Sequence, residues 1–192
     1  RLVPGPCLQV RREHHHLHRR VPRARLVSSW SVQEDLPQPD SSKVAIEWFG
    51  ARFNQELENI NDLFEKFKIS EALMATYKLV WDDFCSWYLE MIKPGYQQPI
   101  DSETLAQTKM FFEKILKIIQ PFMPFLAEEL WHLISPRQEG EDIIIAKWPT
   151  LEPINQEMLV QFTKAEEIIT NIRNVRKENN IANKVYEKYQ NL

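Results

Sequence analysis

Apolar residues recur along most of this chain in steps of three and four. Between Asp40 and Phe67 one such series runs Phe49, Phe53, Leu57, Ile60, Phe64 and Phe67. That spacing sets them on one face of an α-helix, whose period is 3.6 residues. Asp40, Ser41 and Ser42 precede them as N-cap candidates, because a short side-chain oxygen can accept from the free N–H groups of a first helical turn. One long amphipathic helix of about seven turns is expected, with a mostly aromatic buried stripe. A second stripe, Ile69, Leu73, Tyr77, Val80, Phe84, Trp87 and Met91, opens at Ser70 and stops at Pro94 and Gly95. A third helix is expected from a Ser102 cap through Leu105, Phe112, Ile115 and Ile119 to Pro121, and a shorter fourth is "FLAEELWHLI" after Pro124. The run "DIIIAKWP", Asp142 to Pro149, is β-branched but isolated, so it reads as a short extended connector and not as part of a sheet. The last periodic segment, Leu159, Phe162, Ala165, Ile169, Ile172 and Val175, continues in charged form past Arg176 and Lys177. Five helices on short links predict an all-α, up-and-down bundle with one extended connector.

The first 39 residues do not share this pattern. They hold Pro4, Pro6, Pro22, Pro37 and Pro39 and the cluster "EHHHLHRR", with no helical or alternating period. The expected organisation is an irregular or non-native segment at 1–39, a bundle over 40–150, and a last helix over 151–192. His14, His15, His16 and His18 are metal-ligating residue types, but neighbouring positions splay on any regular element and the His-x3-His spacing of one helix face is missing. No metal site is expected.

Charge sharpens the division. Residues 1–39 carry seven Arg against three acids, while the remainder carries seventeen basic against twenty-four acidic residues, so a net charge of −3 is the sum of +4 and −7. An acidic body argues against nucleic-acid binding through a broad basic face. Any RNA contact has to come from local groups. The two cysteines, Cys7 and Cys85, form no framework, which favours a reducing, cytoplasmic setting. No apolar run approaches the roughly 20 residues of a membrane span.

Catalytic signatures are missing too. With four glycines there is no phosphate-cradling loop, and neither His-Glu-x-x-His nor Gly-x-Ser-x-Gly occurs. His132 is the one histidine outside the N-terminal cluster, and it reads as a helix-face or core residue. The stretch "WDDFCSWYLEMIKP", Trp81 to Pro94, combines a cysteine with three acids. Read at helical phase, Trp81, Phe84, Trp87, Tyr88 and Met91 share an apolar arc, while Asp82, Asp83, Ser86, Glu90 and Lys93 flank or oppose it. Cys85 becomes a packing residue, and no catalytic residue is assigned.

Two phrases carry a resemblance. "KISEALMATYKLVWDDFCSWYLEMIKP", Lys68 to Pro94, and "IIQPFMPFLAEELWHLI", Ile118 to Ile134, resemble the anticodon-binding helical domain of bacterial valyl-tRNA synthetases, which are class I aminoacyl-tRNA synthetases. "KVAIEWFGARFNQELENI" and "IRNVRKENNIANK" extend the likeness to about residues 26–192, and residues 25–29 fit the end of the family's first helix. The resemblance implies a module that holds the anticodon stem-loop of valine tRNA. It further implies a monomeric parent enzyme that uses ATP and Mg2+ in a catalytic domain of the same polypeptide. The adenylate-forming signatures His-x-Gly-His and Lys-Met-Ser-Lys-Ser are absent here, so binding without catalysis and without a cofactor of its own is expected. A last helix leading toward a C-terminal coiled-coil arm is also implied.

In that setting Arg173, Arg176 and Lys177, at i, i+3 and i+4, form a basic helix face suited to tracking phosphates. A solvated face is the other reading of the same residues. Arg52 on the long first helix, and Lys93 and Tyr96 at the end of the second, are the further RNA candidates, since unstacked bases are read against aromatic or Arg planes. The alternative function is a structural docking domain with little RNA affinity of its own.

Overall fold

Pro39 occupies the N-cap of the longest helix, α1 (Asp40–Glu65), and no side chain caps it. Instead the Pro39 carbonyl accepts from the amides of Ser42 and Lys43, and Asp40 in the first turn complements the helix dipole. This computed structural model describes residues 30–95 and 98–181. The expected stripe Phe49, Phe53, Leu57 and Ile60 is fully buried. Phe67 leaves it. At the end of α1 the Lys68 amide donates to the Leu63 carbonyl (2.8 Å) and the Phe67 amide to the Phe64 carbonyl (3.0 Å). This is a Schellman closure, and it places Phe67 in the left-handed position usually given to glycine, with φ 57° and its ring exposed.

The second rod runs without a break through α2 (Ile69–Lys78), a π-helical segment (Leu79–Tyr88) and α3 (Leu89–Ile92), because the junction residues Leu79 and Leu89 are themselves right-handed helical. A π turn takes in one more residue than an α turn. Its buried positions are therefore Leu79, Asp83, Phe84 and Tyr88, spaced by four and five. Two expectations for this rod are corrected. Trp81 is half exposed rather than core, and Asp83 is buried rather than outward. Along α2 the buried side chains are Ala72 and Thr76, whereas Ile69, Leu73 and Tyr77 are exposed. Small residues let α2 lie close against α1, and that contact overrides the larger apolar stripe.

Ahead of α4 (Ser102–Ile119), Asp101 is the cap, its carboxylate accepting the Thr104 amide at 2.7 Å, one residue earlier than the sequence suggests. A two-residue parallel ladder joins β1 (Val32–Gln33) to β2 (Ile100–Asp101), with Val32 opposite Ile100. Gln38 donates to Thr104 Oγ at 3.2 Å, so the stretch from residue 30 to α1 is tied to the start of α4. Pro124 opens α5 (Pro124–Ile134), where its missing N–H costs nothing. The connector after it is extended at Asp142 and Ala146 with a single 3-10 turn, Ile143–Ile145, between. Trp148 then donates to Asn61 at 3.0 Å, and the Glu152 amide donates to the buried Asn54 side chain at 3.0 Å, which strap the connector along α1. The last helix, α6 (Gln156–Glu178), starts on an Asn155 side-chain cap. Counting the second rod once, five helices form the bundle among the described residues.

Its core is aromatic. The Phe49 ring lies 5.0 Å from Phe111, 4.9 Å from Tyr88 and 5.3 Å from Phe84, centroid to centroid. A smaller cluster of Leu116, Ala127, Trp131 and Ile143 holds α5 and the connector to α4. The buried Tyr88 hydroxyl meets Thr108 Oγ at 2.8 Å, and Thr108 in turn donates to the Thr104 carbonyl. Tyr88→Phe is expected to cost only about 1 kcal/mol in urea unfolding, since Thr108 keeps its donor bond and loses one acceptor contact.

Candidate nucleic-acid interface

α6 changes environment along its length. Its first half packs on the bundle, with Leu159 buried, Phe162 stacked on Trp48 at 4.0 Å and Phe162 edge-on to Trp87 at 5.8 Å. In its second half Ile168, Ile172 and Val175 are 60%, 54% and 54% exposed, so the helix projects from the core there. The projecting half carries the predicted basic residues. Arg173 and Lys177 are exposed and Arg176 is partly covered. The Arg173 guanidinium carbon lies 5.3 Å from the centre of the Trp87 ring, a cation–π distance that holds it beside the second rod. The helix ends in a second Schellman closure, with the Ile181 amide donating to the Arg176 carbonyl (2.9 Å) and Asn180 at φ 51°.

Arg52 is committed elsewhere. Its Nε lies 3.3 Å from Asp83 Oδ1, and its Nη1 donates to Gln55 at 3.0 Å, with Glu56 at 4.0 Å. Burial pushes the Asp83 carboxyl up to about 6, against the opposing pull of Arg52. Glu166 of α6 is also raised by burial, and it feels both Arg52 and Asp83. One guanidinium thus serves carboxylates from α1, the π segment and α6. The remaining third of Arg52 opens on a shallow groove of about 420 Å³ between α1 and α6, lined with Gln55, Thr163, Lys164 and Glu167.

Lys93 stands at the C-terminal cap of α3, exposed, with Nζ 3.7 Å from Glu90. Tyr96 lies outside the described residues, as do Cys7, the four N-terminal histidines and residues 25–29. The structure therefore brings Arg173 to Trp87 and Arg52 to the α1–α6 groove, and leaves Lys93 paired with its own helix. Sequence reasoning missed Trp87 as the partner of Arg173 and Asp83 as the partner of Arg52. Neither is visible in spacing along one helix, since each pair joins separate elements.

Comparison with known proteins identifies the family of this helical bundle. Residues 47–189 match the family described as the anticodon-binding domain of tRNA ligase, and the chain belongs to that family. Among its relatives are bacterial valine-tRNA ligases. It is 46% identical over 158 residues to that of Christiangramia forsetii and 45% identical over 160 residues to that of Parabacteroides distasonis. At greater distance it is 33% identical over 152 residues to that of Bacillus licheniformis. These alignments cover 82%, 83% and 77% of this chain. The chain spans only 18% of the length of the first two relatives. No helix among the described residues is long and apolar enough to cross a membrane.

Proposed function

We propose that this chain is the part of a valine-tRNA ligase that holds the anticodon arm of valine tRNA. In this reading it supports ATP- and Mg2+-dependent attachment of valine by a catalytic domain of the same monomeric polypeptide. The bundle over 40–150 is the platform, and the segment 151–192, which contains α6, leads toward a coiled-coil arm. The observation that carries the reading is the second half of α6, which projects from an otherwise acidic body and presents Arg173, Arg176 and Lys177. Phosphate contacts of this kind set position and register, and base contacts then select the sequence. Lys93 at the end of α3 supplies a second contact, and Tyr96, three residues on in the sequence, is the further candidate. Arg52 acts mainly by holding Asp83, with its open edge on the groove.

The test is a titration of the whole chain with the valine anticodon stem-loop and with one of altered anticodon. At about 50 mM salt the Arg173→Gln, Arg176→Gln variant is expected to bind about tenfold or more weakly than the parent. Its slope of log K against log salt should be shallower by about 1.4 to 1.8, the value for two lost phosphate contacts. Equal low-salt affinities would remove these residues from the interface.

A second reading rests on a different observation. Phe125 is 90% exposed, and Leu133 on α5 and Ile144 and Ile145 in the connector are exposed as well. Together with Leu73, Met74 and Tyr77 on α2, they offer apolar surface to the rest of the polypeptide. If docking is the domain's main task, the two stem-loops bind with the same low affinity.

A further inference from the structure

Away from α6, one group of side chains joins two elements through atoms that bind metals. Glu128 and His132 stand four residues apart on α5 and so share a face, and Asp142 comes to them from the connector. His132 Nε2 lies 2.9 Å from Glu128 Oε1 and 3.4 Å from Asp142 Oδ1, and all three ligand atoms lie within 4.8 Å of one another. A tetrahedral ion with bonds of about 2.0–2.2 Å keeps neighbouring ligand atoms roughly 3.3–3.6 Å apart, so the three need only small side-chain adjustments.

The scaffold already aims them. The Ile143 amide lies 3.2 Å from both Glu128 oxygens and fixes that carboxylate at the first turn of the connector. Trp131 Nε1 donates to the Glu141 carbonyl at 2.9 Å, which pins the residue next to Asp142. Arg137 lies over the Trp131 ring at 3.6 Å and closes the same loop. Among the described residues neither Glu128 nor Asp142 has a Lys or Arg within ion-pair distance, and both lean on His132. Two carboxylates around one imidazole leave negative charge that a divalent ion neutralises. The nitrogen ligand selects zinc-class ions over magnesium or calcium, which prefer all-oxygen shells.

We propose that Glu128, His132 and Asp142 form a zinc-class divalent metal site that clips the end of α5 to the connector, with solvent at the open coordination position. The sequence conceals it because Asp142 lies ten residues from His132 and no ligand spacing of a known motif is present.

Clustered histidines are metal-ligating residue types whatever their arrangement, so the test uses the full chain with His14, His15, His16 and His18 replaced by Ala. Zn2+ titrated calorimetrically is expected to bind at one ion per chain. Co2+ should give the visible absorption of a nitrogen- and oxygen-ligated ion, and Mg2+ should bind far more weakly. His132→Gln should abolish the Zn2+ isotherm, and Asp142→Asn should weaken it by about tenfold or more. Both side chains are substantially exposed, so circular dichroism should show each variant folded. Zn2+ should raise the thermal midpoint of the chain with the site intact and not that of His132→Gln. An isotherm unchanged by His132→Gln, or Mg2+ uptake as tight as that of Zn2+, overturns the assignment.

Discussion

Phe49→Ala is expected to lower the stability of the domain by about 3–5 kcal/mol, the range for emptying a fully buried aromatic site. Its ring contacts Trp48, Phe53, Phe84, Tyr88 and Phe111, from three of the five helices, and none of it reaches solvent. Aromatic pairs of this geometry are worth about 0.5–1.5 kcal/mol each beyond the area they bury, so the loss should sit toward the upper end of the range. Domains of this size are stable by roughly 5–15 kcal/mol in total, and the variant therefore spends a large part of its margin. The measurement is the guanidinium midpoint at unchanged slope. Phe67→Ala is the control, because the two residues lie on one sequence stripe. Phe67 is exposed and left-handed, and its removal should change the midpoint little. A loss below about 2 kcal/mol at Phe49 would mean the aromatic cluster does not organise the core.

That contrast shows where the sequence was legible. The stripe of α1 from Phe49 to Ile60 follows the α period because the helix is regular there, and periodicity reports what a regular helix buries. It fails at Phe67, where a backbone closure and not hydrophobicity decides the direction of the side chain. In the second rod the π segment advances the phase, so Trp81 turns outward and Asp83 inward, a shift that hydrogen bonds five residues apart impose and composition does not announce. On α2 the pattern pointed to the larger residues, but close approach to α1 selected Ala72 and Thr76. The candidate interface divides the same way. The basic triplet on α6 was legible because it lies on one helix; the ties of Arg173 to Trp87 and of Arg52 to Asp83 were not, because they join elements 86 and 31 residues apart in sequence.

Asp83 carries the second large effect. Its folded-state carboxyl titrates near 6, above the ordinary value of 3.8, and burial is the main cause. A group raised in the folded state lends stability below its unfolded value, and that stability is lost as pH rises through the folded value. The parent should therefore weaken between about pH 4 and pH 7, and Asp83→Asn should not weaken in that window. At pH 7.5 the Asn variant is expected to be more stable by up to about 3 kcal/mol, with the gap closing toward pH 4. Arg52→Gln should move the other way. It removes the cation that opposes Asp83, Glu56 and Glu166, and at pH 7.5 it should cost about 2–3 kcal/mol. That is less than for a fully buried pair, because Arg52 is 33% exposed. Lowering the pH protonates Asp83 and should shrink this cost, and combining the two substitutions should recover most of it. Urea midpoints of the four chains from pH 4 to 7.5 measure all of this, and a parent whose stability is flat or rises with pH in that window would rule out a buried Asp83 with a raised pKa. Because the same ion pair braces the π segment against α1, a weaker RNA affinity in Arg52→Gln that Asp83→Asn restores would mark Arg52 as a brace of the interface and not a contact with the RNA.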